Sequence, residues 1–337
     1  MKTILLTWWT WYIGSHWAVS LIEKWYNVII VDNLSNSSIE VLDNIKEITG
    51  TKPSFYKIDL TNKKELEKIF IENKIDSVIH FAWAKAVWES CEKPFYYYEN
   101  NLVWSLNLFE LMDEYNVKNI IFSSSATVYK PDEKSPFSEE TPTWNTTNPY
   151  GTIKYLIENI LRDLSNHKWF NVINLRYFNP VWAHKSWLIW EDPNDIPNNL
   201  LPFIMKVACW ELNEIKVFWD DYDTKDGTWE RDYIHVVDLI DWHIKALEYI
   251  YDNLWNLNEK INLWTWKATS VLQIIKITEK ITWNKLNYSI VERRSWDIAT
   301  CFCLPNKANK LLNWKSKFDI NESIQDSWNY IKNNKNL

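Results

Sequence analysis

Glycine is scarce in this chain, which contains 4 glycines and 24 tryptophans among its 337 residues. A soluble protein of this length ordinarily holds roughly 24 glycines, because glycine makes up about 7% of average sequences. The two counts therefore look exchanged. Tight turns and left-handed backbone positions normally use glycine, so few of them can be built from the glycines that are present.

Cysteine and positive charge are limited as well, and each limit excludes a class of function. The four cysteines form no Cys-x-x-Cys pair and have no nearby histidine at zinc-ligand spacing, so neither a metal site nor a disulfide framework is predicted. The formal net charge of -7 gives no electrostatic basis for binding nucleic acid or an anionic membrane surface. No apolar run approaches the roughly 18 residues of a membrane span. We expect a cytoplasmic protein with reduced thiols.

The first half of the chain alternates short apolar runs with amphipathic helical patterns. Strand candidates lie at 3–7, 27–31, 54–58, 77–81, 119–123 and 172–176, and helix candidates at 13–24, 63–73 and 102–115. This alternation predicts an α/β fold with a doubly wound parallel Rossmann sheet. After Asn179 the pattern loosens, which predicts a smaller mixed α/β lobe at the C-terminus. We assign residues 1–180 to dinucleotide binding and residues 181–337 to a substrate lobe that is partly interleaved with the first domain.

The turn after the first strand is the place where a dinucleotide fold needs glycine, and it reads Thr7-Trp8-Trp9-Thr10-Trp11-Tyr12-Ile13-Gly14. A Gly-x-x-Gly-x-x-Gly pattern appears if Trp8 and Trp11 are read as glycine, with Gly14 as its third member. As written, the two indoles fill the volume that a pyrophosphate must occupy. Further tryptophans stand in helix-end or turn contexts that favour glycine, namely Trp25, Trp190, Trp219, Trp264 and Trp266.

We hypothesise that most of the tryptophans are glycine in the natural protein. One codon accounts for such a pattern, because UGA is read as tryptophan in some lineages and as glycine in others. The four glycines that are present then come from ordinary glycine codons. If Trp8 and Trp11 are instead genuine, they exclude a dinucleotide sterically, and the chain is a catalytically inactive scaffold or an aromatic-rich binding module.

Acidic residues follow the second and third strand candidates. Asp32 lies 18 residues after Gly14, where a carboxylate accepts hydrogen bonds from ribose hydroxyls and repels a 2′-phosphate. This position favours NAD over NADP. Asp59, followed by Leu60, is similarly placed to meet the adenine end of the cofactor.

A tyrosine and a lysine one helical turn apart form the candidate catalytic pair. In Tyr150-Gly151-Thr152-Ile153-Lys154, the phenol and the ammonium share one helix face. A neighbouring cation favours the phenolate, which makes Tyr150 a usable base. Ser125, at the end of a preceding strand, can offer a hydroxyl to the same substrate oxygen. These residues together predict removal of a proton from an alcohol as a hydride leaves its carbon.

Further segments follow in a characteristic order along the chain. They are Tyr12-Ile13-Gly14-Ser15-His16, Val31-Asp32-Asn33-Leu34-Ser35-Asn36, His80-Phe81-Ala82, Ser123 through Tyr129, Asn148-Pro149-Tyr150-Gly151, Arg176 through Pro180, Ile196 through Leu200 and Arg231 through Val236. With these motifs the chain resembles the UDP-glucose 4-epimerase family of the extended short-chain dehydrogenase/reductase superfamily along nearly its whole length.

The resemblance implies a bound NAD that is reduced and reoxidised within each turnover, and epimerisation at C4 of a UDP-hexose through a 4-keto intermediate. It assigns proton transfer to Tyr150 with help from Ser125, and it lets Lys154 hold the nicotinamide ribose and lower the pKa of Tyr150. The residues that it places at NAD, besides Tyr150 and Lys154, are Trp8, Trp11, Tyr12, Ile13, Gly14, Asp32, Asn33, Asn36, Asp59, Leu60, Phe81, Ala82, Lys85, Asn100 and Phe178. Those that it places at the UDP-sugar are Ser125, Thr127, Asn179, Asn199, Leu200, Phe218, Arg231, Arg294, Asp297 and Cys301. It also implies a homodimer formed through helices near 102–115 and 149–164.

The family also bears on the tryptophans and on the substrate. It has glycine at the positions of Trp8, Trp9, Trp11, Trp83, Trp88, Trp182, Trp187, Trp190, Trp219, Trp264, Trp266 and Trp296, whereas Trp314 and Trp328 match family tryptophans; Trp17 and Trp169 are undecided. Cys301 stands where a bulky tyrosine in some members limits the substrate to unmodified hexoses, so UDP-N-acetylhexosamines are also expected. A related dehydratase is the other enzyme considered, but Ser125-Ala126-Thr127-Val128 offers no carboxylate for elimination of water.

Overall fold

The protein, described here by a computed structural model, is defined over residues 1–7, 12–34, 38–81, 86–130, 133–177, 179–181, 184, 186, 188–189, 197, 199–253, 255–265, 267–293 and 299–335. The strands are β1 (Thr3–Thr7), β2 (Asn27–Asp32), β3 (Ser54–Lys57), β4 (Ser77–His80), β5 (Asn119–Ser125), β6 (Asn171–Tyr177), β7 (Asn179–Val181), β8 (Ile215–Phe218), β9 (Glu230–His235), β10 (Asn258–Asn262), β11 (Ala268–Ser270), β12 (Tyr288–Val291) and β13 (Thr300–Cys301). The α-helices are α1 (Tyr12–Glu23), α2 (Val41–Thr49), α3 (Lys63–Glu72), α4 (Val87–Glu92), α5 (Pro94–Tyr97), α6 (Trp104–Glu114), α7 (Pro149–Lys168), α8 (Leu200–Ala208), α9 (Val236–Asp252), α10 (Val271–Thr282), α11 (Asn306–Leu312) and α12 (Ile320–Lys335). A π-helical turn at Tyr98–Val103 leads into α6, and a 3-10 turn at Ala126–Val128 follows β5.

Seven parallel strands form the central sheet, in the order β10-β6-β5-β4-β1-β2-β3. Strand β1 lies between β2 and β4, so that Leu5 pairs with Ile29 on one side and with Val78 on the other. The chain winds in one direction from β1 to β3 and in the opposite direction from β4 to β6. Such a reversal opens a crevice at the carboxyl ends of β1 and β4. The doubly wound Rossmann sheet predicted from the sequence is confirmed.

The central strands have continuous apolar sequences because both of their faces are buried. Ile4 and Leu6 of β1 face one apolar cluster, and Leu5 between them faces a second cluster on the other side of the sheet. Helices α1, α2 and α9 contribute to the first cluster, and α3, α6 and α7 contribute to the second. This packing holds the carboxyl edge of the sheet rigidly between two helical layers.

Strand β10 comes from the second half of the chain yet forms an edge of the central sheet beside β6. It was not among the predicted strands, because Asn258, Glu259 and Lys260 are polar and half-buried, as suits an edge. The central sheet therefore draws on residues beyond 180. The division of the chain at that residue into two functional domains stays a prediction.

The C-terminal lobe contains two small sheets, in keeping with the mixed α/β lobe expected. Strand β9 pairs with antiparallel β11 and with the parallel strands β13 and β7, while β8 pairs with parallel β12. An apolar cluster with contributions from α8, α10 and α12 fills this lobe. Within the described ranges, no helix combines the length and the apolar character needed to cross a membrane.

Tryptophan adopts a left-handed backbone conformation at several exposed positions. Ten described non-glycine residues have positive φ, and five of them are tryptophan, although tryptophan accounts for only 24 of 337 residues. These five are Trp25, Trp169, Trp210, Trp219 and Trp283, with φ from 59° to 71°. Trp169 and Trp283 cap the ends of α7 and α10. Glycine is the usual residue at such a helix end, because a β-carbon crowds the backbone there.

Candidate active site

The N-terminus of α7 brings Tyr150 to the carboxyl end of β5. Asn148 caps this helix, and its side-chain oxygen accepts a hydrogen bond from the Gly151 amide at 2.8 Å. A β-carbon at Gly151 would lie 2.7 Å from the carbonyl oxygen of Thr127. Glycine at this position therefore lets the first turn of α7 rest against the turn that follows Ser125.

The Ser125 hydroxyl lies near the Tyr150 phenol, close enough to lower its pKa. The Ser125 oxygen also accepts hydrogen bonds from the Thr127 amide at 3.2 Å and from the Thr127 hydroxyl at 3.1 Å. These bonds leave the Ser125 proton to be donated toward Tyr150 or toward a substrate oxygen beside it. Burial raises the pKa of Tyr150 to about 12, and the nearby Ser125 hydroxyl opposes this rise.

Lys154 lies one helical turn after Tyr150 and is 2% exposed. Its Nζ donates to the carbonyl oxygen of Ser123 and lies 5.6 Å from the centroid of the Tyr150 ring. Burial lowers the pKa of Lys154 to about 7, and the charge of Glu158 opposes this change. The lowering of the Tyr150 pKa by Lys154 that the resemblance implies stays a prediction. The Lys154 ammonium is bonded to a backbone carbonyl, and the Ser125 hydroxyl lowers the pKa of Tyr150.

A buried chain of hydrogen bonds joins the ends of β1 and β4 beneath the crevice. Thr7 Oγ1 lies 2.8 Å from His80 Nδ1, and His80 Nε2 lies 2.8 Å from Ser105 Oγ. Burial lowers the pKa of His80 to about 3, with a smaller contribution from the charge of Lys154. The imidazole is therefore neutral at pH 7 and acts as a structural link rather than as an acid or a base.

Carboxylates follow β2 and β3 at the same edge of the sheet. Asp32 is 2% exposed, and one of its oxygens accepts a hydrogen bond from the Leu34 amide at 2.7 Å. The side chain of Asn33 donates to Asp59 at 3.3 Å, which joins the two strand ends. Carboxylate acceptors in this place suit the hydroxyls of an adenosine ribose and disfavour an added phosphate. The hydrogen-bonding groups of these described residues therefore fit NAD.

The remaining predicted cofactor residues with described positions lie on elements that border the crevice. They are Tyr12, Ile13 and Gly14 in the first turn of α1, Leu60 after β3, Phe81 after β4, and Asn100 in the π-helical turn that packs against α7. Phe81 is 8% exposed and lies against Trp17 and His243 beneath the sheet edge. Its buried ring supports the base of the proposed cofactor site.

The predicted substrate residues are spread over the C-terminal lobe. Asn179 opens β7, Asn199 precedes α8 and Leu200 opens it, Phe218 ends β8, Arg231 lies in β9 and Cys301 in β13. The Arg231 guanidinium donates to the Glu230 carbonyl at 2.8 Å and lies 4.8 Å from the Trp229 ring centroid. Because β7 and β13 both pair with β9, the structure places Asn179, Arg231 and Cys301 on neighbouring strands.

Cys301 connects this lobe to the catalytic turn. It is 3% exposed and packs in an apolar cluster with Ala126 and Tyr129, which lie in and just beyond the turn that follows Ser125. Burial raises the pKa of the Cys301 thiol to about 12, so the side chain is uncharged at pH 7. A small neutral residue thus packs against the turn that follows Ser125.

Several predicted site residues lie outside the described residues. They are Trp8, Trp11, Asn36, Ala82, Lys85, Phe178, Arg294 and Asp297. Of the family glycine positions, Trp9, Trp83, Trp182, Trp187, Trp190, Trp266 and Trp296 lie outside them as well. The roles assigned to all of these residues stay predictions.

Sequence reasoning missed a buried ion pair behind the catalytic residues, formed by Glu158 of α7 and Arg176 of β6. Two features of the sequence point to it. Glu158 follows Lys154 by four residues and Tyr150 by eight, so the three side chains share one helix face. Arg176 lies in a strand candidate with the apolar residues Val172, Ile173 and Leu175, and a charge in such a strand needs a buried partner.

A doubly wound parallel sheet with a serine, a tyrosine and a lysine gathered at its carboxyl edge defines a Rossmann enzyme of the short-chain dehydrogenase/reductase type. The chain belongs to the NAD dependent epimerase/dehydratase family, which matches residues 4–257. It is 48% identical over 335 residues to the UDP-glucose 4-epimerase of Bacillus subtilis, covering 99% of this chain and 98% of that protein. It is 49% identical over 332 residues to the enzyme of the same name from Haemophilus influenzae, covering 98% of each. The crystal structure of UDP-glucose 4-epimerase from Bifidobacterium longum in complex with NAD+ and UDP superimposes with a TM-score of 0.94 at 46% identity, covering 99% of both chains.

Proposed function

We propose that the protein catalyses NAD-dependent epimerisation at C4 of a UDP-hexose, interconverting UDP-glucose and UDP-galactose through a 4-keto intermediate. The observation that carries this proposal is the placement of Ser125 near Tyr150, with buried Lys154 one turn away, at the carboxyl edge of the parallel sheet. This arrangement suits removal of a proton from an alcohol whose carbon loses a hydride. The relatives named UDP-glucose 4-epimerase, which match nearly the whole chain, support the same activity.

Tyr150 is the proposed base and acid of the reaction. It takes the proton of the C4 hydroxyl as the C4–H bond breaks, and C4 becomes a carbonyl carbon. Ser125 donates a hydrogen bond to the same oxygen, which steadies the charge that develops there. When bound, NAD supplies the hydride acceptor for this half-reaction and the hydride donor for its reverse. Tyr150 then returns the proton to the carbonyl oxygen of the sugar, which has presented its other face, so the net change is inversion at C4.

The other predicted site residues bind and orient in this scheme. Lys154 holds the nicotinamide ribose, and Asp32 and Asn33 hold the adenosine ribose. Arg231 is assigned to the diphosphate of the substrate, together with Arg294, because a guanidinium fork matches phosphate oxygens in two places. The dehydratase alternative is disfavoured, since the turn after Ser125 carries no acid for the elimination of water.

The main test compares two tyrosines of the same helix. Tyr150→Phe removes the proposed base, and we expect kcat for UDP-galactose to fall by about 100-fold or more. Tyr155→Phe, one turn further along α7, is the matched control and is expected to keep nearly full activity. The measurement is formation of UDP-glucose by the natural protein and its two variants. Wild-type kcat in Tyr150→Phe would remove the basis of the proposal.

The substrate range is proposed to include UDP-N-acetylhexosamines, because buried Cys301 is small. Cys301→Tyr is expected to abolish turnover of UDP-N-acetylglucosamine while leaving turnover of UDP-glucose within about threefold, since the added ring fills space that only the N-acetyl group requires. Steady-state kinetics with both substrates check this expectation. Equal losses with both sugars would mean that position 301 does not select between them.

We also propose that most of the tryptophans are glycine in the natural protein. The five exposed tryptophans with positive φ support this, because their backbone conformation is the one that glycine favours. Trp314 and Trp328 are proposed to be genuine, since Trp314 Nε1 donates to Asp241 at 2.6 Å and Trp328 is buried in the C-terminal lobe. Intact mass and peptide sequencing across residues 1–24 test the hypothesis. Tryptophan at positions 8 and 11 would favour the inactive scaffold over the epimerase.

A homodimer in the cytoplasm is the proposed state of the protein. Three apolar side chains near the start of α6 are exposed: Phe95 of α5 at 87%, Val103 at 45% and Leu106 at 44%. Exposed apolar patches of this kind are typical of protein interfaces. All four cysteines are free thiols, as expected in a reducing compartment. Light scattering on the eluted protein tests the dimer, and Leu106→Glu is expected to yield monomers.

A further inference from the structure

A buried ion pair lies behind the catalytic residues, between α7 and β6. The side chains of Glu158 and Arg176 are 2% and 0% exposed. Arg176 Nε donates to Glu158 Oε1 at 2.8 Å, and its Nη2 donates to Oε2 at 2.5 Å. Removing two charges from water is costly even when they are paired, so such a pair is a poor device for stability alone. Its place in the fold points to a second role.

Glu158 fastens α7 to two strands of the central sheet. The Ser124 hydroxyl donates to Glu158 Oε1 at 2.6 Å, and Ser124 lies directly opposite Arg176 in the pairing of β5 with β6. Arg176 also donates to the Tyr129 hydroxyl at 3.1 Å, just beyond the catalytic turn. One carboxylate therefore holds the helix to the residue that immediately precedes Ser125.

This attachment bears on the catalytic geometry because of the helical repeat. Lys154 and Tyr150 precede Glu158 by one and two turns on the same face of α7. The hydrogen bond between Glu158 and Ser124 therefore fixes the position of α7 along β5. This position in turn determines where the Tyr150 hydroxyl lies relative to Ser125. Displacements of about 1 Å between reacting groups are enough to slow catalysis strongly.

The same carboxylate serves two buried cations. Glu158 is paired with Arg176, and its charge also favours the charged form of Lys154. The other titratable groups around them are Tyr150 and Arg162 on α7, His80 on β4, Tyr129 after β5, Tyr177 on β6, Lys260 on β10, Lys307 on α11 and Glu139 in the loop before α7. Among these, His80 is neutral, and burial raises the pKa of Glu139. Glu158, one helical turn from Lys154, is thus the carboxylate whose charge raises the pKa of the Lys154 ammonium.

We propose that Glu158 is a positioning residue for the proton transfer, which sets the register between Tyr150 and Ser125 and places a negative charge one helical turn from the Lys154 ammonium. Arg176 holds the carboxylate in place. This role rests on the proposed function, since it acts through Tyr150 and Lys154.

Two variants separate this role from a merely structural one. Glu158→Gln keeps the shape of the side chain and removes its charge. The double variant Glu158→Leu/Arg176→Met removes the whole pair and is expected to regain stability, because apolar residues of similar size often replace buried ion pairs without loss. The first measurement is the pKa of Lys154 in the cofactor-free protein, from the NMR signal of lysine labelled with 13C at Cε and assigned by its absence in Lys154→Met. The second is the pH dependence of kcat and KM with UDP-glucose, and the third is the free energy of unfolding.

We expect the pKa of Lys154 to fall from about 7 by about one unit or more in Glu158→Gln, and by less in the double variant, because loss of the Arg176 cation partly offsets loss of the carboxylate. The protonated fraction at pH 7 then drops from about one half to about one tenth, and kcat at pH 7 drops about fivefold with little change in KM. A double variant that is stable and has the wild-type Lys154 pKa and kcat would overturn the proposal. Loss of activity in step with loss of stability, with the Lys154 titration unmoved, would overturn it too. If the wild-type protein does not epimerise although Glu158→Gln shifts the Lys154 titration, it is the proposed function that fails.

Discussion

Replacing Trp283 by glycine is expected to stabilise the protein. Trp283 ends α10 with a φ of 59°, and its side chain is 91% exposed, so its removal sacrifices little buried surface. A non-glycine residue in the left-handed conformation costs about 1–2 kcal/mol, which glycine avoids. Glycine offsets up to about 1 kcal/mol of this stabilisation, because it increases the conformational entropy of the unfolded chain. The net gain in the free energy of unfolding is therefore about 0.5–1 kcal/mol.

The assay is urea denaturation followed by circular dichroism, and the chain offers a matched control. Trp144 is 55% exposed but is not among the residues with positive φ, so Trp144→Gly lacks the conformational gain and is expected to be neutral or destabilising. The tryptophans at 25, 169, 210 and 219 share the left-handed backbone with Trp283. The sum of the five gains is about 2.5–5 kcal/mol, but the gains at 210 and 283 are expected to be coupled, because Asn284 donates to the Ala208 carbonyl at 3.0 Å and so joins the two segments. If Trp283→Gly is no more stable than Trp144→Gly, the conformational argument is wrong, and with it the structural support for glycine at these positions.

Two further outcomes are expected. Gly151→Ala places a β-carbon 2.7 Å from the Thr127 carbonyl oxygen, so the start of α7 must move. We expect kcat to fall about tenfold or more with a nearly unchanged KM. An unaltered kcat in steady-state assays would mean that catalysis does not need the close approach of α7 to Thr127. His80 and His243 have pKa values lowered to about 3 by burial, so the unfolded chain binds protons below about pH 6.5 that the folded protein does not. Stability is therefore expected to fall as the pH drops from 6.5 toward 3, by about 1.4 kcal/mol per pH unit for each histidine. His243→Phe, among the aromatic neighbours Trp17, Phe81 and Tyr177, should remove one histidine's share of this slope, and an unchanged slope in denaturation at pH 5.5 and 4.5 would contradict the assignment.

The parts of the fold that the sequence predicts well are the strands that are buried on both faces. The runs at β1, β2 and β4 are short, apolar and continuous, and each lies within a residue or two of its predicted bounds. Strand β10 could not be found in this way. Its outer edge faces away from the sheet, so polar residues at 258–260 are tolerated, and only the pairing with β6 reveals it as a strand.

The candidate site shows the same contrast. Tyr150 and Lys154 could be paired from sequence because a helix brings residues four apart together. The contact of Tyr150 with Ser125 depends on Gly151 and on the cap at Asn148, which act through the packing of α7 on the catalytic turn. The hydrogen bond of the Lys154 ammonium could not be predicted either, since its acceptor is a backbone carbonyl that no sequence pattern marks.

The edge position of β10 has a consequence for biosynthesis. As the chain leaves the ribosome, β1 to β6 are complete by residue 177, yet the strand that pairs with the outer edge of β6 is made only at residues 258–262. During that interval β6 presents unpaired amides and carbonyls, and the face that α9 later covers is open to solvent. Nascent chains of this length are therefore candidates for chaperone binding, and a gene truncated before residue 258 should yield an insoluble product rather than a free cofactor-binding domain.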